Sequence, residues 1–377
     1  MEKRYIIGID QSTQGTKALL FDGVGHLLRR TDLPHRQIVN EKGWVSHDLN
    51  EIYRNTVQTV KMLVAESGVA PETIAGIGIS NQRETTAIWD KATGKPLEEA
   101  IVWQCGRASG IAQEIAEQGH AEEIREATGL QLSAYFPAAK MAWLLRNGGE
   151  ERQKRAADGE LCLGTIDSWL VYKLTGDHAF KTDFSNASRT QLFNLKTLAW
   201  DEKICEMFGI PACALARVCD SDAVYGTTTM EGLFSEPVPI CGVLGDSHAA
   251  LFGQGCLKPG MIKATYGTGS SLMMNIGDKP IQSSHGVVTS LAWGRGGKVD
   301  YVLEGNLNYT GAVITWLKDD LKLISSAKET EGLAGRQIRQ TARIWFRHLP
   351  GLARRTGMRK QRHRSAELPA PQEKLRW

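Results

Sequence analysis

The chain has 377 residues, of which 42% are hydrophobic and 23% are charged, and its formal net charge is +3. This length accommodates two domains with sizeable cores. The sequence has no signal region, no apolar run long enough to span a bilayer, and seven scattered cysteines without metal-binding spacing. We therefore expect a soluble, cytoplasmic protein whose cysteines are reduced packing residues.

The charge is unevenly distributed along the chain. Residues 335–377 contain 12 lysines and arginines against two acidic residues, which leaves 33 basic and 40 acidic residues in the rest. The mildly acidic part gives no reason to expect a nucleic acid or a membrane as partner. The basic segment alone is typical of an RNA-binding arm, but Trp345, Phe346 and Trp377 offer few stacking platforms for bases.

Short apolar runs separated by tight turns open the chain. Strands at 5–10, 18–22 and 26–31 predict an antiparallel meander. Apolar residues at helical spacing follow at 49–67 and a strand at 74–80, so we expect a mixed α/β sheet. Helical segments dominate 107–160 and 166–175, and strand-like segments recur at 238–246, 260–269 and 299–305. This renewed strand–turn–strand pattern predicts two domains, residues 1–252 and residues 253–334.

Two turns have the composition of phosphate-binding loops. DQSTQGTK (10–17) follows a strand and contains an aspartate, hydroxyls, a glycine and a lysine. Backbone N–H groups and hydroxyls in such a turn can bind phosphate oxygens, and an aspartate can hold Mg²⁺. The Walker spacing is absent, and an ordinary hairpin turn is the competing interpretation. Because TYGTGSS (265–271) is a second turn of this kind, the pair indicates a nucleotide held in a cleft between related domains.

Other candidate residues have both a structural and a functional interpretation. Asp246 follows an apolar strand, where it is either a helix N-cap or a general base at a cleft. Arg83 and Glu84 form either a surface ion pair or polar groups that project from a strand end into a cleft. Trp103 and Tyr135 fit a core as well as a binding site, and Lys140 has the pattern of a solvated helix lysine as much as of a site residue. Residue types alone leave these alternatives open.

Nine motifs stand in the order and spacing of a known family. They are DQSTQGTK, NQRET, IVWQC, YFPAAKMAWLLRN, TIDSWLVYKLTG, TDFSNASRTQLFNL, GDSHAALFGQ, TYGTGS and LEGN. Over residues 4 to about 333 the chain resembles the FGGY carbohydrate kinases, and among them the members that phosphorylate glycerol. The resemblance implies an actin-like, ribonuclease H-like α/β fold of two domains, the second of them incomplete here. It also implies phosphoryl transfer from ATP to a primary hydroxyl of glycerol.

The resemblance assigns roles to individual positions. It makes Asp246 the catalytic base and Asp10 the aspartate associated with Mg²⁺. The polyol-binding positions are Arg83, Glu84, Trp103, Tyr135, Asp246 and Ser247. The nucleotide-binding positions are Thr13, Gln14, Lys17, Thr268, Gly311 and Thr315. The family has arginine where this chain has Lys17, which keeps the charge but loses the planar fork of donors.

Two departures from the family concern the substrate. Ser247 stands where glycerol-phosphorylating members have glutamine, and Ser271 stands where they have phenylalanine. A roomier, more polar pocket would follow, so a larger polyol or sugar such as a tetritol is an alternative to glycerol. A fragment without catalytic activity is a second alternative. The resemblance also leaves a homo-oligomer of the full-length form open.

The basic segment has the pattern of a shifted reading frame. Residues 346–358, FRHLPGLARRTGM, stand where the family has a stretch close to VPAFTGLGAPYW. In a shifted frame, each codon consists of the third base of one triplet and the first two bases of the next triplet. Read in this frame, the codons for residues 346–358 permit the sequence P-A-F-T-G-L-G-A-P-Y-W-D. We therefore predict a frame change near residues 334–337 and a disordered, out-of-frame tail over 335–377.

This frame change makes a specific prediction about the gene. The codons for residues 346–350 should be TTC, CGG, CAT, TTA and CCG, because only these satisfy both reading frames. Sequencing the gene across codons 325–377 tests the prediction. Other codons at these five positions would favour a divergent basic tail instead.

Overall fold

The computed structural model describes residues 2–267, 269–307 and 310–334. In this part of the chain two compact units are found. The first comprises residues 2–261 and 274–303, and the second comprises the described residues of 262–273 and 304–334. The predicted tail over 335–377 and the candidate residue Thr268 lie outside the described residues. Among the described helices, none combines the length and the apolar character that crossing a membrane requires.

The elements are numbered in chain order. The first strands are β1 (Tyr5–Gln11), β2 (Gly15–Phe21), β3 (Leu27–Pro34), β4 (Ile38–Val39), β5 (Val45–His47), β6 (Ile74–Asn81), β7 (Thr86–Asp90), β8 (Ala100–Ile101) and β9 (Leu161–Thr165). The later strands are β10 (Lys181–Asp183), β11 (Phe193–Asn194), β12 (Ala199–Trp200), β13 (Arg217–Cys219), β14 (Gly226–Thr228), β15 (Val238–Gly245), β16 (Ile262–Tyr266), β17 (Ser270–Gly277), β18 (Val288–Arg295) and β19 (Lys298–Leu307). The first helices are α1 (Leu49–Ser67), α2 (Ser109–Glu117), α3 (Ala121–Thr128), α4 (Pro137–Asn147), α5 (Gly149–Ala157) and α6 (Ile166–Leu174). The later helices are α7 (Phe184–Ala187), α8 (Glu202–Phe208), α9 (Asp246–Gly253), α10 (Gly311–Thr315) and α11 (Glu329–Ala334).

A six-stranded sheet forms the centre of the first unit, in the order β14-β15-β6-β1-β2-β3. Strands β1, β2 and β3 are antiparallel neighbours, as the short loops between them require. Strand β6 runs parallel to both β1 and β15. The antiparallel meander and the mixed character of the sheet that the sequence predicts are thus confirmed.

Helix α1 covers one face of this sheet. It starts at an N-cap, Asp48, whose side chain accepts a hydrogen bond from the Asn50 N–H, and it ends at Gly68 with a φ of 69°. Its apolar stripe includes Ile52 and Leu63, which are fully buried in one core with the inward residues of β1 and β2. Helix α1 has the same ends, 49 and 67, as the segment predicted from periodicity.

A second sheet, in the order β4-β5-β8-β7-β9, lies in the same unit with a core of its own. Helices α2, α4, α5 and α8 contribute to that core. Strands β7 and β9 are buried at nearly every position, so they lack the alternation that identifies a half-exposed strand. This is why the sequence analysis did not predict them.

A four-stranded sheet has the order β16-β17-β19-β18, and two two-stranded sheets pair β10 with β13 and β11 with β12. The predicted strand over 260–269 corresponds to the shorter β16, which ends at Tyr266, and the next strand, β17, starts at Ser270. Helix α10 and a π-helical turn over Trp316–Asp320 follow β19 in the chain. Gly305 lies inside β19, whereas Gly311 is the first residue of α10.

Candidate active site

Three parallel strands bring the polar candidates of the first unit to one edge of the central sheet. In the strand register Asp10 of β1 and Leu244 of β15 both lie opposite Ser80 of β6. Asp10 and the residues that follow β6 and β15 therefore leave the sheet at the same level. Ligands of open α/β sheets bind outside the carboxyl ends of parallel strands, so this edge is the place to look for a site.

Asp246 is the first residue after β15 and begins helix α9. Its Oδ1 lies 3.3 Å from Nε of Arg83 and accepts a hydrogen bond of 2.6 Å from the Ser247 N–H. Burial among protein atoms raises the pKa of Asp246; Arg83 partly opposes this rise, while Glu84 and Asp10 add to it. Solvent nevertheless reaches 43% of its side chain. A desolvated but accessible carboxylate of this kind is suited to accept a proton.

Gly245 gives the Arg83 side chain its space. A Cβ at Gly245 would lie 2.7 Å from both Cγ and Cδ of Arg83 and 3.2 Å from Nδ1 of His248. The φ of Gly245 is −60°, which alanine adopts without strain, so a substitution would act through this collision.

We predict that Gly245→Ala weakens polyol binding about 10- to 100-fold by displacing Arg83. Isothermal titration calorimetry with glycerol measures the effect. Gly253→Ala is the matched control, because it lies at the other end of α9 and a Cβ there meets nothing within 4 Å. Equal affinities in both variants would contradict the role given to Arg83.

Glu84 is almost fully buried and pairs with Arg189. Its Oε1 lies 2.6 Å from Nε of Arg189, and the two side chains are 2% and 1% exposed. The guanidinium of Arg189 also stacks over Phe136 at 5.1 Å. Arg83 and Glu84 are neighbours in sequence but form ion pairs with different partners, so the surface ion pair considered for this dipeptide is wrong. The Glu84 backbone has a φ of 60°, a left-handed conformation that is uncommon outside glycine.

An aromatic wall connects the polyol candidates with the β1–β2 turn. The rings of Trp103 and Tyr135 meet edge to face, with centroids 5.7 Å apart. Trp103 Nε1 donates a hydrogen bond of 3.0 Å to Oγ1 of Thr13, and its backbone N–H donates to Oγ1 of Thr85. Because a hydroxyl that accepts one hydrogen bond can still donate its own proton, Thr13 keeps a donor for another group.

The β1–β2 turn is tight and depends on its glycine. The N–H of Ser12 donates to the Gly15 carbonyl at 2.9 Å, and a Cβ at Gly15 would lie 2.5 Å from the carbonyl oxygen of Leu33. Gln14 at the tip is exposed, and its carbonyl accepts from the His35 N–H. The turn thus presents Thr13 and Gln14 from a fixed backbone.

Asp10 and Lys17 face each other across the same hairpin. Lys17 Nζ lies 2.8 Å from Oδ2 of Asp10, both side chains are about a third exposed, and Oγ of Ser80 lies 3.4 Å from Oδ1. Mg²⁺ takes one or two carboxylates and otherwise waters and phosphate oxygens, so one partly exposed aspartate fits it. In the described part of the chain no group of three or more metal-binding side chains is found.

Two nucleotide candidates of the second unit, Gly311 and Thr315, lie in one hydrogen-bonded cluster. The Gly311 N–H and the Thr310 hydroxyl both donate to the carbonyl of Gly267, at 2.9 and 3.0 Å. Thr315 donates its hydroxyl to the Gly311 carbonyl one helical turn earlier. Oγ of Ser271 donates to Oε1 of Glu304 at 3.2 Å. Gly311 at the start of α10 thus lies beside Gly267.

The sequence analysis assigned no role to the buried residues Arg189 and Asp183, and it left Lys140 as either a solvated helix lysine or a site residue. Arg189 has just been described, and Lys140 is 0% exposed, so its interpretation as a solvated helix lysine is wrong. Asp183 is also 0% exposed and accepts hydrogen bonds from the Ser185 and Asn186 N–H groups. The D-x-S-N spacing signals an N-cap, but no local pattern signals that it is buried.

The Asp183 cluster supports the ends of two strands. Asn186 and Asn81 exchange two side-chain hydrogen bonds of 2.9 and 3.0 Å at the end of β6. Oγ of Ser185 accepts from the Gly245 N–H at the end of β15. Burial raises the pKa of Asp183, and its hydrogen-bond donors oppose that rise. The cluster fixes the backbone from which Arg83 and Asp246 project.

Two family models match the chain. The N-terminal domain model of the FGGY family of carbohydrate kinases matches residues 5–253, and the C-terminal domain model matches residues 262–358. The second match therefore extends past residue 334 into the segment that the sequence analysis expects to be out of frame.

Curated relatives resemble the chain over most of its length. Glycerol kinase 2 of Thermotoga maritima is 48% identical over 331 residues, covering 88% of this chain and 66% of that relative. The glycerol kinase of Carboxydothermus hydrogenoformans is 47% identical over 336 residues, covering 89% and 67%. The chain thus spans about two thirds of the length of these relatives.

Solved structures give the same result for the fold. Plasmodium falciparum glycerol kinase with ADP superposes with a TM-score of 0.82 at 33% identity, covering 89% of this chain and 67% of that one. A ligand-bound xylulose kinase from Lactobacillus acidophilus gives 0.75 at 23% identity, covering 85% and 63%, and supports the fold alone. The predicted actin-like α/β fold class is confirmed, and the chain belongs to the FGGY family of carbohydrate kinases.

Proposed function

We propose that the whole protein phosphorylates glycerol with ATP, and that the first unit of this chain holds the polyol and the catalytic base. The observation that carries the proposal is Asp246, a carboxylate with a raised pKa beside Arg83 at the carboxyl edge of the sheet. The relatives named glycerol kinase, at 47–48% identity, support the choice of substrate.

The polyol candidates offer the contacts that a small neutral molecule with several hydroxyls needs. Arg83 supplies N–H donors, and Glu84 supplies a carboxylate that accepts hydrogen bonds from hydroxyls. Trp103 and Tyr135 supply an apolar wall with one phenol. The Glu84 and Arg83 side chains are buried, so their hydrogen bonds to a ligand would be stronger than in water.

Asp246 then has a defined task in the transfer. It accepts the proton of the primary hydroxyl while the hydroxyl oxygen forms a bond to the γ-phosphorus and the bond to the ADP oxygen breaks. The β1–β2 turn of the first unit, with Thr13, Gln14 and Lys17, offers donors for nucleotide phosphates. In the second unit, the cluster around Gly311 and Thr315 offers donors of the same kind. Asp10 would hold Mg²⁺, and the bound ion would neutralise charge on the transferred phosphoryl group.

Ser247 favours a second candidate substrate. Its short hydroxyl takes the place of the amide that glycerol-phosphorylating family members carry, and it leaves more room beside Asp246. A tetritol is therefore the alternative polyol.

The cysteines favour the cytoplasm as the location of the protein, since all seven lie in the described part of the chain and none forms a disulfide.

Polyol-dependent release of ADP by the full chain tests the proposal. Glycerol should stimulate ADP release more than erythritol does, and omission of Mg²⁺ should abolish it. The reverse order of the two polyols would select the tetritol. Calorimetric glycerol binding without any ADP release would identify this chain as a fragment that binds polyol but does not catalyse transfer.

A further inference from the structure

Lys140 is a charged residue in the interior of the first unit. It belongs to α4, and its side chain is 0% exposed. Removing an ammonium group from water costs several kcal/mol unless the protein supplies hydrogen-bond acceptors for it. A lysine kept in such a position therefore calls for a specific role, and its contacts indicate which one.

The ammonium group of Lys140 joins two separate segments. Nζ donates to the carbonyl oxygen of Glu84 at 3.3 Å and to the carbonyl oxygen of Tyr135. It also stands 5.9 Å from the centre of the Tyr135 ring. Glu84 follows β6 and Tyr135 precedes α4, so a single cation connects the backbones of two polyol candidates.

Neither Glu84 nor Tyr135 lies in a helix or a strand that would fix its backbone. Glu84 has a φ of 60°, a left-handed conformation that is strained for a non-glycine residue. Tyr135 lies in the loop before α4, where its N–H donates to Oγ of Ser133 at 3.1 Å. A hydrogen bond to a carbonyl oxygen orients the whole peptide plane, so Lys140 fixes the direction in which each neighbouring side chain projects.

We infer that Lys140 is a positioning residue for polyol recognition, which sets the separation between the Glu84 carboxylate and the Tyr135 phenol. This inference rests on the proposed function, because it assumes that both groups bind the polyol. The fixed separation decides which hydroxyls of one ligand can be bound together. Lys140 acts through Glu84 and Tyr135 and not by touching the substrate.

Lys140→Met tests the inference, because methionine nearly conserves volume and removes the charge and the donors. Two readouts are measured on the full chain: hydrogen exchange in peptides covering 81–87 and 133–139, and glycerol affinity by calorimetry. We expect exchange in both peptides to become about tenfold faster and glycerol affinity to fall about tenfold or more. The affinity for ATP should change less than about twofold.

Lys173→Met is the matched control. Lys173 is half-buried and lies over the rings of Tyr53 and Trp169, at 5.2 and 5.5 Å, on the α1 side of the sheet. Its replacement should leave hydrogen exchange in both peptides and the glycerol affinity unchanged. If Lys140→Met does not fold, Lys140→Gln keeps one N–H donor without the charge and is judged by the same two readouts.

Three results would overturn the inference. They are unchanged exchange in either peptide, faster exchange with unchanged glycerol affinity, and faster exchange spread over the whole unit. Glycerol binding without ADP release in the native chain would refute the proposed transfer and leave the inference standing. If the native chain binds no glycerol, the proposed polyol is refuted, and exchange in the two peptides alone then decides whether Lys140 joins them.

Discussion

Replacing Asp246 with asparagine is expected to lower kcat by about 100- to 10,000-fold, because the amide cannot accept the proton of the attacking hydroxyl. Asparagine has nearly the same shape as aspartate, and its amide oxygen can still contact the Arg83 side chain. Glycerol affinity should therefore change much less than kcat. Steady-state ADP release gives kcat, and calorimetry gives the affinity.

The pH dependence of the native protein belongs to the same prediction. Asp246 must be ionised to act as a base, and burial raises its pKa above the ordinary aspartate value. The rate should therefore fall as the pH drops through this raised pKa, at a higher pH than for a solvated aspartate. In Asp246→Asn the residual rate should lose this acidic limb.

Asp222→Asn is the matched control for this charge change. Asp222 is exposed and lies 3.8 Å from Arg295 on the surface of the first unit. Its replacement should leave kcat and the pH profile as they are. A native-like kcat in Asp246→Asn would exclude Asp246 as the base and move the search to another carboxylate at the sheet edge, with Asp10 first.

Replacing Arg189 with methionine is expected to destabilise the first unit by about 3–5 kcal/mol. Glu84 would be left as a buried charge without the guanidinium that lies 2.6 Å from it. The unfolding midpoint in urea, followed by tryptophan fluorescence, measures the loss. Glycerol affinity should fall as well, because the carboxylate loses its orientation.

A double variant separates the two effects. Glu84→Gln combined with Arg189→Met removes both charges, so much of the lost stability should return. Glycerol affinity should not return, since the carboxylate acceptor is gone. Arg146→Met is the control, because Arg146 pairs with Glu114 at an exposed site and should cost about 1 kcal/mol or less. A full loss of stability in the double variant would show that packing, and not charge, explains the effect.

The central sheet could be predicted from the sequence because its residues follow simple periods. Strands β1 and β2 alternate between buried and more exposed positions, and α1 carries an apolar stripe with a cap at each end. Helix α4 is different, because it is buried on most sides and its sequence has no polar face to locate. A lysine inside it therefore has the same local pattern as a lysine on a surface helix.

In the candidate site, too, some residues could be predicted from the sequence and others could not. Family motifs located Asp10, Arg83, Glu84 and Asp246, and the structure places the residues that follow the three strands at one edge. The partner of Glu84 could not be predicted, because Arg189 is 105 positions away in the chain and no spacing rule links the two. Long-range pairs of this kind arise from how the strands and the α7 segment pack, which single-sequence periods do not encode.

The three ion pairs described at the site have an electrostatic consequence. Asp10 with Lys17, Glu84 with Arg189 and Asp246 with Arg83 each combine one negative and one positive side chain. Their fields largely cancel beyond a few ångströms, so a neutral polyol at the proposed site would be held by short-range contacts and not by long-range attraction. A nucleotide at the same pairs would meet little surplus positive charge and would need its own cation for neutralisation. The proposed site would therefore exert little long-range electrostatic attraction on either substrate.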